Sequence, residues 1–211
     1  MPKGTTFAYR VGPNLYINLT TRCSSACTFC LRKSDDGVGE AETLWLEHEP
    51  TAQEAIDAIA TFNPKTYEDI VFCGYGEPTM ALDVLLEVAA ESKRRWGKTI
   101  RLNTNGQANL IAGRDIVPDL VGLIDKVSIS LNNPDPQRYL DLTRSEFGIN
   151  AFQAMLDFAE ECAKLLPNVV LTTVETTITA EEEARCAEIC ESIGVSYRIR
   201  KWVDSTDREP K

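Results

Sequence analysis

Cys23, Cys27 and Cys30 lie within eight residues, in the stretch TTRCSSACTFCLRK, and the chain has seven cysteines in all. Their spacing is C-x3-C-x2-C, with Phe29 directly before the last thiol. Thiolates are soft ligands for iron–sulfur clusters or zinc, and short spacing in a loop lets three sulfurs face one point. Three protein ligands rather than four leave a coordination position open, which marks metals used for chemistry. A zinc site of the Cys3His kind has a single candidate, because His48 is the only histidine.

Four other segments carry polar groups of the type a ligand needs. GYGEP holds Gly74, Tyr75, Gly76, Glu77 and Pro78. Its glycines permit close backbone approach, and its carbonyls and carboxylate suit a cation. NTNG brings Asn103, Thr104 and Asn105, and SLNN brings Ser130 and Asn132. Each also reads blandly, since Asn-Gly is a turn dipeptide and Ser130 suits a buried hydroxyl. Arg144 offers a guanidinium fork for a carboxylate, or a surface pair with Glu146 or Asp141. Glu175 lies on a late strand.

The elements that position these groups alternate. Strands are expected over 14–20, 69–73, 99–103, 126–132, 168–178 and 196–203. Helices are expected over 51–62, 81–97, 116–125, 150–167 and 180–194. Thr51 and Glu54 form a capping box, and Ala55, Ile56, Ile59 and Phe62 an apolar stripe. Six βα-like steps give an α/β chain with a parallel sheet and right-handed crossovers. A complete eight-fold barrel needs about 250 residues, more than the 211 present. The expected fold is therefore a partial, open (β/α)6 TIM-type barrel. It forms one core domain over 1–203, with a flexible C-terminal tail over 204–211. The cysteines, GYGEP, NTNG, SLNN and the late-strand residues all fall at C-terminal strand ends, where parallel α/β folds build their sites.

Alternation puts Arg198, Arg200 and Trp202 on one face of the last strand. An inner face would favour an anionic substrate group; an outer face would make them solvated charges. Cys186 and Cys190, at i and i+4 on a helix, could mark a second metal site, but core packing is the better reading.

The net charge of −10 argues against a broad basic surface for nucleic acid or an anionic membrane. The first twenty residues lack a signal-peptide apolar stretch, and no run approaches the roughly 18 apolar residues of a membrane span. A cytoplasmic location is expected, where thiols stay reduced.

CxxxCxFC after a first strand, followed by G-x-G-E-P after the second, resembles the radical S-adenosylmethionine (radical SAM) superfamily across nearly the whole chain. The resemblance implies that Cys23, Cys27 and Cys30 hold three irons of a [4Fe–4S] cluster. The fourth iron chelates the amino and carboxylate groups of SAM. Reductive cleavage then gives a 5′-deoxyadenosyl radical that abstracts hydrogen from a substrate the motifs do not name. It further implies that Phe29 lies beside the adenine and that Gly76-Glu77-Pro78 receive the SAM ammonium. Asn103 and Asn105 hydrogen-bond SAM or substrate, Ser130 and Asn132 serve the ribose or carboxylate, and Arg144 pairs with the methionine carboxylate. Tyr75 replaces a glycine usual in the family, and Asn132 an acid. A flavodoxin- or ferredoxin-type donor is implied. NLYINLT-TRC, FCGYGEPT, LNTNG and the short length look most like the small TatD-associated radical SAM proteins, with a TatD-like hydrolase as a possible partner. Alternatives are enzymes resembling 7-carboxy-7-deazaguanine synthase or glycyl-radical activases, and, in another class, a non-catalytic iron–sulfur electron carrier.

Overall fold

The structure, a computed structural model, describes residues 3–202. A seven-stranded sheet runs in sequential order: β1 (Ala8–Val11), β2 (Asn14–Ile17), β3 (Asp69–Phe72), β4 (Thr99–Thr104), β5 (Lys126–Ser130), β6 (Val169–Val174) and β7 (Ser196–Arg200). All pairs from β2 to β7 are parallel. No pairing joins β7 to β1 among the described residues, so the sheet is an open partial barrel. The helices are α1 (Ala52–Thr61), α2 (Leu82–Trp96), α3 (Ala108–Ala112), α4 (Val117–Leu120), α5 (Pro136–Thr143), α6 (Asn150–Leu165) and α7 (Ala180–Ile193).

Strand alternation assigns the two faces. Leu15, Ile17, Ile70, Phe72, Ile100, Leu102, Val127, Ile129 and Leu171 point outward into one core. There they meet Ile56 and Ile59 of α1, Leu85 and Val88 of α2, and Met155 and Phe158 of α6. Each fully buried side chain of this kind contributes about 1.5–3 kcal/mol. Cys162, Cys186 and Cys190 are sealed in the same core, where they pack as small hydrophobes. The intervening positions face inward. At the floor, Lys126 Nζ lies 2.9 and 3.1 Å from the Asp69 carboxylate. Arg101 is 3.6 Å from it and also donates to the Tyr16 hydroxyl at 3.3 Å.

Several elements differ from expectation: α3 is an additional short helix, the helix expected over 116–125 is only Val117–Leu120, and three further differences bear on the site. β1 is an extra antiparallel strand, paired with β2 through a two-residue turn at Gly12-Pro13. Gly12 takes φ +53° there, a conformation only glycine adopts freely. Helix α5 occupies what reads as a long loop, started by Pro136 and capped by the Asp135 carboxylate on Arg138 N. β6 stops at Val174 instead of 178, because Thr176 turns the chain with φ +67°. The tail over 204–211 lies outside the described residues.

Candidate active site

The loop after β2 presents the three cysteines at the C-terminal edge of the sheet. Cys27, Phe29 and Cys30 line a cavity of about 640 Å³, and all three motif cysteines are free thiols. The loop is held by its backbone. Ala26 N donates to Thr143 O at 2.9 Å, Thr28 N to Leu142 O at 2.8 Å, and Glu146 N to Ser24 O at 2.9 Å. Lys33 Nζ donates to the carbonyls of Ala26 (3.2 Å) and Cys27 (2.5 Å), and Arg32 to that of Ser25 (3.3 Å).

Burial pushes Cys23 up to about 11, with the Glu77 charge adding to it. Burial also pushes Cys27 up to about 12, reinforced by Cys30 and Cys23. Among the described residues, no three cysteine, histidine or acidic side chains converge tightly enough to share one ion. A single zinc would draw each sulfur to about 2.3 Å from one centre. His48 serves elsewhere: its Nε2 is 3.0 Å from Glu54 Oε1 and its ring meets Phe7 edge-on.

The GYGEP loop sits flush on the cysteine stem. A Cβ on Gly76 would strike the Thr20 and Arg22 carbonyl oxygens, and one on Gly74 would strike the Asn18 side chain. Glu77 N donates to Arg22 O at 2.8 Å. Glu77 itself is buried, and four donors converge on its carboxylate. Oε1 accepts from Thr79 N (3.2 Å), Thr79 Oγ1 (2.9 Å) and Thr104 Oγ1 (2.7 Å), while Oε2 accepts from Asn105 N (2.7 Å). Burial still pushes its pKa up, against those hydrogen bonds. The resemblance gives this carboxylate to an ammonium; the structure gives it to the loop after β4, with the Gly74–Gly76 backbone left as cavity wall. Tyr75, in place of glycine, is buried. Its hydroxyl donates to Asp35 O at 2.6 Å and its ring packs edge-on to Trp45, which pins the segment after the cysteines over the barrel.

Asn103 and Ser130 also line the cavity, and the buried Asn103 Oδ1 has no hydrogen-bond partner. Asn105 does not line it. Its amide donates to Ser24 Oγ at 2.9 Å and accepts from Gln107 N at 2.9 Å. Asn132 is buried in a left-handed turn (φ +61°) with an unpartnered Oδ1, away from the cavity wall. Arg144 is exposed and caps α5 at φ +49°, with its N donating to Leu140 O. Its guanidinium is not brought to the cavity, although the backbone around it braces the cysteine loop. Arg198, Arg200 and Trp202 do face the cavity, and Glu175 instead accepts from Trp202 N at 3.1 Å.

Three further groups emerge only from the structure. Cys73 and Arg101 line the cavity; their alternation with Val71 and with Asn103 was the available signal. Gln107 is fully buried at the hub of a network. Its Oε1 accepts from Ser24 Oγ (2.9 Å) and Ser145 Oγ (2.8 Å), and its amide donates to Tyr139 Oη (3.0 Å) and Ser25 Oγ (3.3 Å). This hub ties the cysteine loop to β4 and α5. Gln107→Leu keeps the volume but orphans those partners, at about 1–3 kcal/mol for each buried group left unsatisfied. Thermal melting is expected to fall by about 8 °C or more, and reconstituted protein to lose iron faster on desalting. Unchanged melting and iron retention would reject the bracing role.

A sequence model of the Radical SAM superfamily matches residues 17–193. The chain belongs to the radical SAM superfamily. Its family-wide cofactors are a [4Fe–4S] cluster and SAM, and the cysteine loop and cavity fit them. Among curated relatives it is 28% identical to a GTP 3′,8-cyclase of Corynebacterium glutamicum (strain R), over 95% of this chain and 52% of that protein. It is 27% identical to GTP 3′,8-cyclase 2 of Mycobacterium bovis, over 90% of this chain and 50% of that one. The chain thus spans about half the length of these relatives. Among solved structures, Streptococcus suis SuiB bound to precursor peptide SuiA superposes with a TM-score of 0.69 at 14% identity, covering 90% of this chain and 39% of SuiB. Methylornithine synthase (PylB) gives a TM-score of 0.62 at 13% identity, covering 90% and 53%. These two show a shared fold.

Proposed function

We propose that this chain is a radical SAM enzyme whose substrate occupies the cavity beside the cysteine loop. The observation that carries the reading is the placement of Cys27, Phe29, Cys30 and the Gly74–Pro78 loop on one cavity wall. Cys23, Cys27 and Cys30 would hold the cluster. When bound, the cluster supplies one electron to cleave SAM to methionine and a 5′-deoxyadenosyl radical, which removes hydrogen from the substrate.

The chain's own residues do the positioning. Phe29 offers a flat apolar face at the cavity for an adenine. Gly74 and Gly76 let backbone approach where a side chain would collide. Asn103, with an unpartnered Oδ1, and Ser130 supply polar contacts. Tyr9, Leu44 and Tyr75 close one side with apolar surface, which limits water where a reactive radical must survive.

No helix among the described residues is long and apolar enough to cross a membrane. The cytoplasm suits the seven free thiols, and a flavodoxin- or ferredoxin-type protein suits the one-electron supply. Association with a TatD-like hydrolase rests on the sequence resemblance alone. The first experiment is anaerobic reconstitution followed by iron analysis and SAM titration. About four irons per chain, with the cluster's spectrum perturbed by SAM, are expected. A reconstituted cluster whose spectrum ignores SAM would contradict the reading and favour an electron carrier.

A further inference from the structure

The cavity wall is basic in an acidic protein. The chain carries −10 overall, yet the ionisable side chains lining the cavity, thiols and phenols aside, are five bases (Arg32, Arg101, Arg198, Arg200 and Lys201) and one acid, Glu77. Glu77 is already spent on four protein donors. Arg32 is tied to the cysteine loop through Ser25 O. Arg101 is shared with Asp69 and Tyr16 at the floor. Lys201 lies beyond the end of β7 and is exposed, which leaves Arg198 and Arg200, at i and i+2 on the inward face of β7.

Neither arginine has a carboxylate partner among the described residues. Among the described residues, the buried Arg200 Nε has no hydrogen-bond partner. Burial pushes the Arg200 pKa down, the adjacent Arg198 charge adds to this, and the Cys73 and Cys27 thiols oppose it. Holding a desolvated, unpaired guanidinium beside a second one is unfavourable without a counter-charge. An oxyanion of a ligand supplies that charge and matches the fork of donors.

We propose that Arg198 and Arg200 form an anion cradle for a phosphate or carboxylate group of the substrate. The sheet's curvature brings β7 round to the cavity that the cysteine loop lines from the β2 end. An anchored oxyanion would therefore hold the rest of the substrate against the radical source. The inference deepens the radical SAM reading and rests on it for the identity of the bound molecule as substrate.

The test uses the reconstituted protein, measured with and without SAM, and two probes followed by calorimetry: inorganic pyrophosphate and malonate. Saturable binding of at least one is expected, weakened at least tenfold by Arg200→Gln and by Arg198→Gln. Arg200→Lys, which keeps charge but loses the fork, should fall between. Arg114→Gln, which removes an exposed base paired with Asp119, should match wild type. Preference for pyrophosphate assigns a phosphate, and preference for malonate a carboxylate. Absence of binding by wild type, or binding undiminished in both glutamine variants, overturns the proposal. Competition by SAM also overturns it, because the arginines would then serve the SAM carboxylate. Production of 5′-deoxyadenosine is scored separately. If it forms while neither anion binds, the cradle fails and the enzyme reading stands. If anions bind but none forms, the enzyme reading fails instead.

Discussion

Cys30→Ala is expected to drop the iron content from about four to less than about one per chain, while the protein stays folded. Cys30 is only half-buried, so removing its sulfur opens little cavity. The loop backbone is held from outside the motif, through Thr143, Leu142 and Glu146. The cluster, by contrast, has only three protein ligands to begin with, and a second open position is one too many. Cys73→Ala is the internal comparison. Cys73 also lines the cavity, its backbone N donating to Ile17 O and its carbonyl accepting from the Tyr9 hydroxyl. It stands outside the C-x3-C-x2-C motif and should keep its iron when replaced. Iron analysis and the visible spectrum of the two variants, prepared side by side, read the difference. Iron lost from Cys73→Ala and retained in Cys30→Ala would mean that the ligand set has been assigned wrongly.

The second large effect is at Glu77. Its carboxylate joins the GYGEP loop to the loop after β4 by accepting from Thr79, Thr104 and Asn105. Glu77→Gln is nearly isosteric, but its amide must turn an N–H group toward donors on one side. A buried donor left facing another donor costs about 1–3 kcal/mol, more because hydrogen bonds to a charged acceptor are stronger. A shift of about 2–4 °C in melting per kcal/mol follows for a chain of this size. Glu77→Gln should therefore melt roughly 3–10 °C lower, and lose SAM affinity as a consequence of the loosened loop. If Glu77 acted only on the SAM ammonium, SAM affinity would fall and melting would not. Melting read by circular dichroism separates the two, and an unchanged transition would reject the clamp.

The chemistry of the site was legible because it depends on residue type at fixed short spacing. Three thiols in eight residues and a glycine-flanked Glu-Pro both survive translation into structure. The parallel sheet was legible from alternation of β-branched runs with amphipathic helices. What failed were features decided by hydrogen bonding rather than by pattern. Arg144 has the right chemistry for a carboxylate, yet it ends a helix in a left-handed cap that leaves its side chain exposed. Asn105 looks free on paper, but Ser24 and Gln107 take up its amide. Helix α5 hides behind Asn-Asn-Pro-Asp-Pro, a string that reads as loop until Asp135 is seen capping it. β7 was ambiguous for a different reason. Its apolar positions, Tyr197 and Ile199, alternate with arginines whether the strand is read inside-out or outside-in. Only the packing of Tyr197 against the core, with its hydroxyl 2.7 Å from Thr173 Oγ1, fixes which face turns inward.

The central claim is that the cysteine loop and the cavity it lines generate a radical from SAM. Its most direct measurement is the yield of 5′-deoxyadenosine when anaerobically reconstituted protein is reduced with dithionite in the presence of SAM. The account predicts 5′-deoxyadenosine together with methionine, formed by wild type and abolished in Cys30→Ala. An intact, reducible cluster that leaves SAM uncleaved would contradict it.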